Sequence, residues 1–128
     1  MVHTLKSHEI KREQKKSLFI REITQIIQLL AEAEPLVGKV YPTRVDFSND
    51  YGILYVYLST FDEFSEEAFN LSLDRLKLYR PSMRKELATR LNPRYTPNII
   101  FLYDKVREKQ SKIDNLLDMV RDDLAGKK

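Results

Sequence analysis

The chain has 128 residues, of which 42% are hydrophobic and 32% charged, with a net charge of +3; that is enough for one compact domain with a core and excludes a disordered chain. It contains no cysteine, so disulfides and thiol chemistry are excluded, and no apolar run reaches the roughly 18 residues that span a bilayer. Residues 1–16 are polar and basic and lack the apolar centre of a secretory leader, so a cytoplasmic protein is expected.

Residues 1–10 read as a flexible basic arm, residues 11–124 as a single domain and residues 125–128 as a frayed tail. A first helix is predicted from about Glu9 to Ala33. Leu18, Phe19, Ile23, Ile26, Ile27 and Leu30 recur on it at helical spacing, and Glu34-Pro35 ends it. Gly38 opens an extended stretch, Lys39 to Ser48, in which Val45 and Phe47 alternate with Arg44 and Asp46 as in a half-buried strand. Pro42 argues for a strand end, an edge or a bulge. Ser48-Asn49-Asp50-Tyr51-Gly52 is turn chemistry, and the apolar run Ile53 to Ser59 returns as an antiparallel partner strand.

Ser65 is a plausible N-cap, followed by Glu66 and Glu67 in the first turn of a second helix whose buried face carries Phe69, Leu73, Leu76 and Tyr79. Pro81 interrupts it, and Ser82 is placed to cap a third helix with Met83, Leu87 and Leu91 inside, stopped by Asn92-Pro93. Asn98 to Tyr103 reads as a third strand, added by a crossover because two helices intervene. A last helix, about Val106 to Leu124, presents Ile113, Leu116, Leu117 and Val120 as its apolar face. Three strands with helices against one face make an α+β two-layer domain.

Charge is polarised along the chain. From Asp46 to Asp74 there are seven acids and no Lys or Arg, whereas Lys6–Arg21 and Arg80–Arg94 are strongly basic. Such polarity fits either a polyanion partner or an uneven solvated surface. Three basic groups are candidates for contact with a polyanion. Arg80, Ser82, Arg84 and Lys85 gather at the joint between the second and third helices, where a helix N-terminus can also receive a phosphate. Lys11, Arg12, Lys15, Lys16 and Arg21 lie on the first helix, with Lys11/Lys15 and Arg12/Lys16 four apart and so on shared faces. Arg90 and Arg94 flank the exit of the third helix, where a helix cap or an acidic partner would also explain them. Each group has a bland alternative as a solubilising helix surface. Tyr51, Tyr55 and Tyr57 could stack bases, but their apolar neighbours favour core packing with both sheet faces covered.

The order helix, strand, strand, helix, kink, helix, strand is the type II KH arrangement, here with an added C-terminal helix and a three-stranded mixed sheet. A KH domain normally clamps nucleic-acid backbone with a GXXG loop at the joint, and this joint has no glycine. The chain resembles the ribosome-binding factor A family, which also lacks GXXG and carries an Ala-x-Gly kink. Glu34-Pro35-Leu36-Val37-Gly38 resembles that family's Asp-Pro-Arg-hydrophobic-Gly turn, and Val45 to Asp50 resembles its Val-x-Val-Ser-x-Asp segment. Tyr55 to Ser59 is similar to its Val-Tyr-Val-Ser strand. Arg94-Tyr95-Thr96-Pro97 is similar to its Leu-Arg-x-x-Pro entry to the last strand, and Ile100 to Asp104 to its Leu-x-Phe-x-x-Asp end. The family's Ala-x-Gly kink aligns with Tyr79-Arg80-Pro81; Leu54 stands in place of an alanine and Leu36 in place of an arginine. The resemblance spans about Lys11 to Val120. It implies a monomeric KH-like protein that binds 16S rRNA and free 30S subunits and supports 5′-end processing of precursor rRNA, without catalysis or cofactor.

No family resemblance is needed to set enzymes aside. Three glycines make no phosphate-binding loop, His3 and His8 both lie in the N-terminal arm, and no Ser-His-Asp or Cys-His set can be assembled. The acids Asp62, Glu63, Glu66 and Glu67 fit a loop and helix N-terminus better than a cation site. The alternative function is a protein-interaction module without direct RNA binding, docking through its acidic middle and last helix. A large exposed apolar patch on that helix would indicate it.

Overall fold

The computed structural model describes residues 3–126, with side chains described for residues 9–110 and 112–121. Helix α1 runs His3–Ala33, followed by a 3-10 turn at Val37–Lys39, strand β1 (Val40–Phe47), strand β2 (Ile53–Thr60), helix α2 (Glu66–Leu78), helix α3 (Arg80–Leu91), strand β3 (Asn98–Tyr103) and helix α4 (Lys105–Gly126). The element order is the expected KH-like one. Helix α1 begins six residues before the expected Glu9, so most of the segment read as a flexible arm is helical; residues 1–2 and 127–128 lie outside the described residues.

The sheet order is β1-β2-β3, antiparallel on one side of β2 and parallel on the other. The parallel pair follows from the two intervening helices, which return the chain to the same end of the sheet. Leu54, Val56 and Leu58 of β2 point into the core with Val45 and Phe47 of β1 and Ile99 and Phe101 of β3. Against them pack Phe19, Ile23, Ile26 and Ile27 of α1, Phe69 and Leu76 of α2, and Met83 and Leu87 of α3. Phe19 meets Phe47 edge to face at 5.1 Å. The opposite face of β2 carries Ile53, Tyr55 and Tyr57, only half-buried. The expectation that both faces are covered is therefore corrected: helices α1, α2 and α3 pack on one side, and the tyrosines occupy the alternate positions of the strand.

Local chemistry sets the joints. In the β1–β2 turn, Asp50 Oδ1 accepts from the Gly52 N–H at 2.9 Å and from Ser48 Oγ at 2.8 Å, while Tyr51 takes a left-handed φ of 60°. Register shifts between Pro42 and Arg44, where the sequence placed a strand irregularity, so Thr43 bulges out of β1. Its hydroxyl donates to the buried carboxylate of Asp104. Asp104 Oδ1 also accepts from the Arg107 N–H at 2.9 Å and so caps α4. Arg44 Nε lies 3.4 Å from Oδ2 of Asp104, and its guanidinium carbon lies 3.6 Å from the Tyr57 ring centroid.

Helices α2 and α3 are separated by Tyr79 alone, whose N–H turns back to the Leu76 and Lys77 carbonyls. Ser65 caps α2 as expected, accepting from the Ala68 N–H at 3.4 Å. Ser82 does not cap α3. That helix begins at Arg80, with Pro81 in its first turn, where the missing N–H costs nothing and the fixed φ suits the helix. Leu18, expected in the apolar stripe of α1, is 43% exposed. The apolar face of α4 is also exposed, and none of its described residues joins the core.

Candidate nucleic-acid interface

The joint and the first residues of β3 enclose a shallow cavity of about 320 Å3, lined by Lys77, Arg80, Pro81, Arg84, Asn98, Ile99 and Ile100. Lys77 comes from the last turn of α2, Arg80 and Arg84 from the first turns of α3, and the rest of the wall is the free edge of the sheet. Arg80 and Arg84 are four apart and share one face of α3 because the helix begins at Arg80. Strand β3 pairs with β2 on one side only, so alternate carbonyls point outward. Arg84 Nε donates to the Pro97 carbonyl at 3.0 Å and its Nη2 to the Thr96 carbonyl at 3.1 Å. Arg80 Nη1 donates to the Ile99 carbonyl at 3.4 Å. The two guanidinium groups thus satisfy the edge carbonyls and are held beside the cavity. A guanidinium has five N–H donors, so each retains others for a ligand.

No carboxylate lines this cavity. Four other surface cavities each include at least one: Glu9 and Glu13, Glu13 and Asp46, Glu86, and Asp62, Glu63 and Glu108. The groove is therefore a positive site that an acidic neighbour does not neutralise. Lys77 and Asn98 were not singled out from the sequence. The signal for Lys77 was its position three residues before Arg80, across a joint that proves to be one residue long.

The structure separates the other sequence candidates. Ser82 lies between α1 and α3, in a cavity with Ile26, Leu29 and Arg90, away from Arg80 and Arg84. Lys85 and Arg94 are exposed. Arg90 is a tie between helices: its Nη1 lies 3.2 Å from Glu22 Oε2 and 3.1 Å from Gln25 Oε1, and its Nε lies 3.3 Å from Glu86 Oε2. The hydrogen bond to Glu22 and then that to Glu86 raise its pKa.

On α1, Arg12 and Lys16 do not project outward. Arg12 Nη2 lies 3.0 Å and Lys16 Nζ 3.3 Å from Asp46 Oδ1 on β1, and Arg12 also donates to the Phe47 carbonyl. Burial opposes the charge on Asp46, but the Phe47 N–H and both cations outweigh it and hold this carboxylate below its usual range. Lys15 Nζ stands 4.4 Å from the centroid of the Tyr51 ring. Arg21 Nε lies 3.4 Å from Glu22, and Lys11 is exposed. The basic half of α1 is thus fastened to the sheet by ion pairs and aromatic contacts. Of the eleven sequence candidates, the groove brings together Arg80 and Arg84.

The described residues contain no group of three or more His, Asp or Glu side chains that could hold a metal ion, and no described helix is long and apolar enough to cross a membrane. The family model for ribosome-binding factor A matches residues 11–117. The chain belongs to the ribosome-binding factor A family. Ribosome-binding factor A of Moorella thermoacetica is 34% identical over 122 residues, covering 94% of each chain. Its Clostridium tetani counterpart is 34% identical over 103 residues, covering 80% of this chain and 83% of that one. The crystal structure of ribosome-binding factor A from Thermus thermophilus superposes with a TM-score of 0.62 at 26% identity, covering 72% of this chain and 93% of that one. A Thermus thermophilus coordinate set fitted into a cryo-EM map of a 30S complex matches with a TM-score of 0.55 at 28% identity, covering 68% and 88%. Ribosome-binding factor A structures thus share this KH-like fold.

Proposed function

We propose that this chain binds the small ribosomal subunit by gripping 16S rRNA backbone in the groove between the α2–α3 joint and the edge of β3. The reading is carried by one observation: Lys77, Arg80 and Arg84 converge on a cavity without a carboxylate. Cations so placed release condensed counterions from phosphates, giving affinity without sequence readout. Asn98 and the half-buried Ile100 add a polar and an apolar contact for a base. Pro81 withholds one N–H from the start of α3, so in this chain the side chains rather than the backbone supply most donors at the kink. The proposal includes the family roles implied by the resemblance: a cytoplasmic, non-catalytic factor that acts as one copy on the free 30S subunit and supports 5′-end processing of precursor rRNA. The coordinate set fitted to a 30S complex supports the choice of partner.

The test is co-sedimentation of the full chain with purified free 30S subunits at two salt concentrations. Lys77→Glu with Arg80→Glu should lower the bound fraction by at least about tenfold and flatten the salt dependence. Lys105→Glu with Lys109→Glu, on α4, is the charge-matched control and should bind as the parent does. Unchanged binding by the groove variant, with a folded circular-dichroism spectrum, would refute the groove.

A further inference from the structure

Helix α4 has the feature named above as the mark of a protein-docking surface. Val106, Ile113, Leu116, Leu117 and Val120 fall on one helical stripe and are 46–67% exposed. The core includes no described residue of α4. Its charge is divided along its length. Residues 105–112 carry Lys105, Arg107, Lys109 and Lys112 against Glu108, and residues 114–123 carry four aspartates against Arg121. This arrangement opposes the helix dipole, which favours acids at the N-terminus and bases at the C-terminus. The pairs Lys112–Glu108 at 3.5 Å and Arg121–Asp118 at 3.6 Å are exposed and local, and leave the end-to-end polarity in place.

We propose that α4 pairs antiparallel with α4 of a second copy of this chain. In that arrangement each basic half meets an acidic half, the two dipoles run in opposite directions, and the two apolar stripes cover each other. The contact is self-complementary about a two-fold axis near Asn115, as a closed dimer requires. A parallel pair would set like charges together. A nucleic acid would meet repulsion from the aspartate half. Two facing stripes bury on the order of 1,000 Å2, the lower limit for a specific interface, so the dimer is weak and concentration-dependent. It belongs to the free chain; the single copy expected from the sequence is the dilute form and the form proposed on the subunit. Strand β3 places α4 at one end and the Arg80–Arg84 groove at the other, about 20 Å apart, so both grooves of a dimer stay open.

Sedimentation equilibrium of the full chain at low salt tests this. The mass should rise from 15.2 kDa at micromolar concentration toward twice that value near millimolar, and added salt should reverse the rise. Leu116→Asp with Leu117→Asp should stay at the single-chain mass with an unchanged circular-dichroism spectrum. Because the chain has no cysteine, Leu116→Cys, on the stripe and one residue from the two-fold axis, reports on the geometry. A short bifunctional maleimide should join two copies at Leu116→Cys but not at Lys105→Cys, whose copies lie about 30 Å apart in the antiparallel pair. A constant 15.2 kDa over the whole range would overturn the proposal, as would equal cross-linking at both positions. Loss of 30S binding by the aspartate variant of a chain that never dimerises would also overturn it and give the stripe to the subunit instead.

Discussion

Arg84 donates two hydrogen bonds to the carbonyls that lead into β3, and this double contact makes it more than a surface charge. Lysine cannot reproduce a planar fork. Arg84→Lys should therefore weaken 30S binding although it leaves the net charge unchanged, measured by co-sedimentation beside the parent. Lys77 has no such fixed geometry in the groove. Lys77→Gln should reduce the slope of log affinity against log salt by about 0.7–0.9, the loss of one phosphate contact. Asp104 is a buried carboxylate with a different task. Burial opposes its charge, but Thr43, the Arg107 N–H and Arg44 outweigh that and lower its pKa. A depressed folded pKa means stability that is present above the unfolded value, near 3.9, and lost as pH falls through the lower folded value. Asp46 has the same sign. Asp104→Asn should cost about 1–2 kcal/mol in urea denaturation at neutral pH and flatten the loss of stability as pH falls below the unfolded carboxylate value. Sequence spacing could show that Arg12, Lys16 and Arg90 were cationic. It could not show that Asp46 and Glu22, 34 and 68 residues away, would claim them.

At the scale of elements, local rules read well where local chemistry decides. Ser65 caps α2, Asn92 in the left-handed region ends α3, and Ser48 to Gly52 turn the hairpin. They fail where a neighbour decides. Ser82 follows a proline that is as well suited to a helix start as to a helix stop, and here that proline stands in the first turn of α3. Ser82→Ala should thus leave both stability and 30S binding within error of the parent. Ser72 on α2 is a clearer residue to change: the residue is 1% exposed and its hydroxyl has no hydrogen-bond partner among the described residues. Ser72→Ala should leave stability unchanged or raise it by up to about 1 kcal/mol, because an unmade buried hydrogen bond is lost with the group; thermal melting reads the sign. The apolar pattern of α4 resembles that of a core helix, since periodicity reports which face is apolar and not what covers it.

For the whole molecule, the α+β order and the crossover to β3 were legible because two helices between strands permit no tight hairpin. The single covered face of the sheet was not, because tyrosine and isoleucine at Ile53, Tyr55 and Tyr57 look as apolar as the core positions between them. The core itself should respond as one cooperative unit. Leu87→Ala, at a fully buried position on α3, should cost about 2–5 kcal/mol by denaturant unfolding without altering the salt dependence of binding. The parallel pairing of β2 with β3 also bears on synthesis. Six rungs from Ile53–Asn98 to Leu58–Tyr103 close only after residue 103 has been added. Until then, a nascent chain displays a finished hairpin with one raw edge and no mate for it. That interval is the window in which a chaperone would be needed, and arrest-peptide force profiles should show the folding pull only after Tyr103 has left the tunnel.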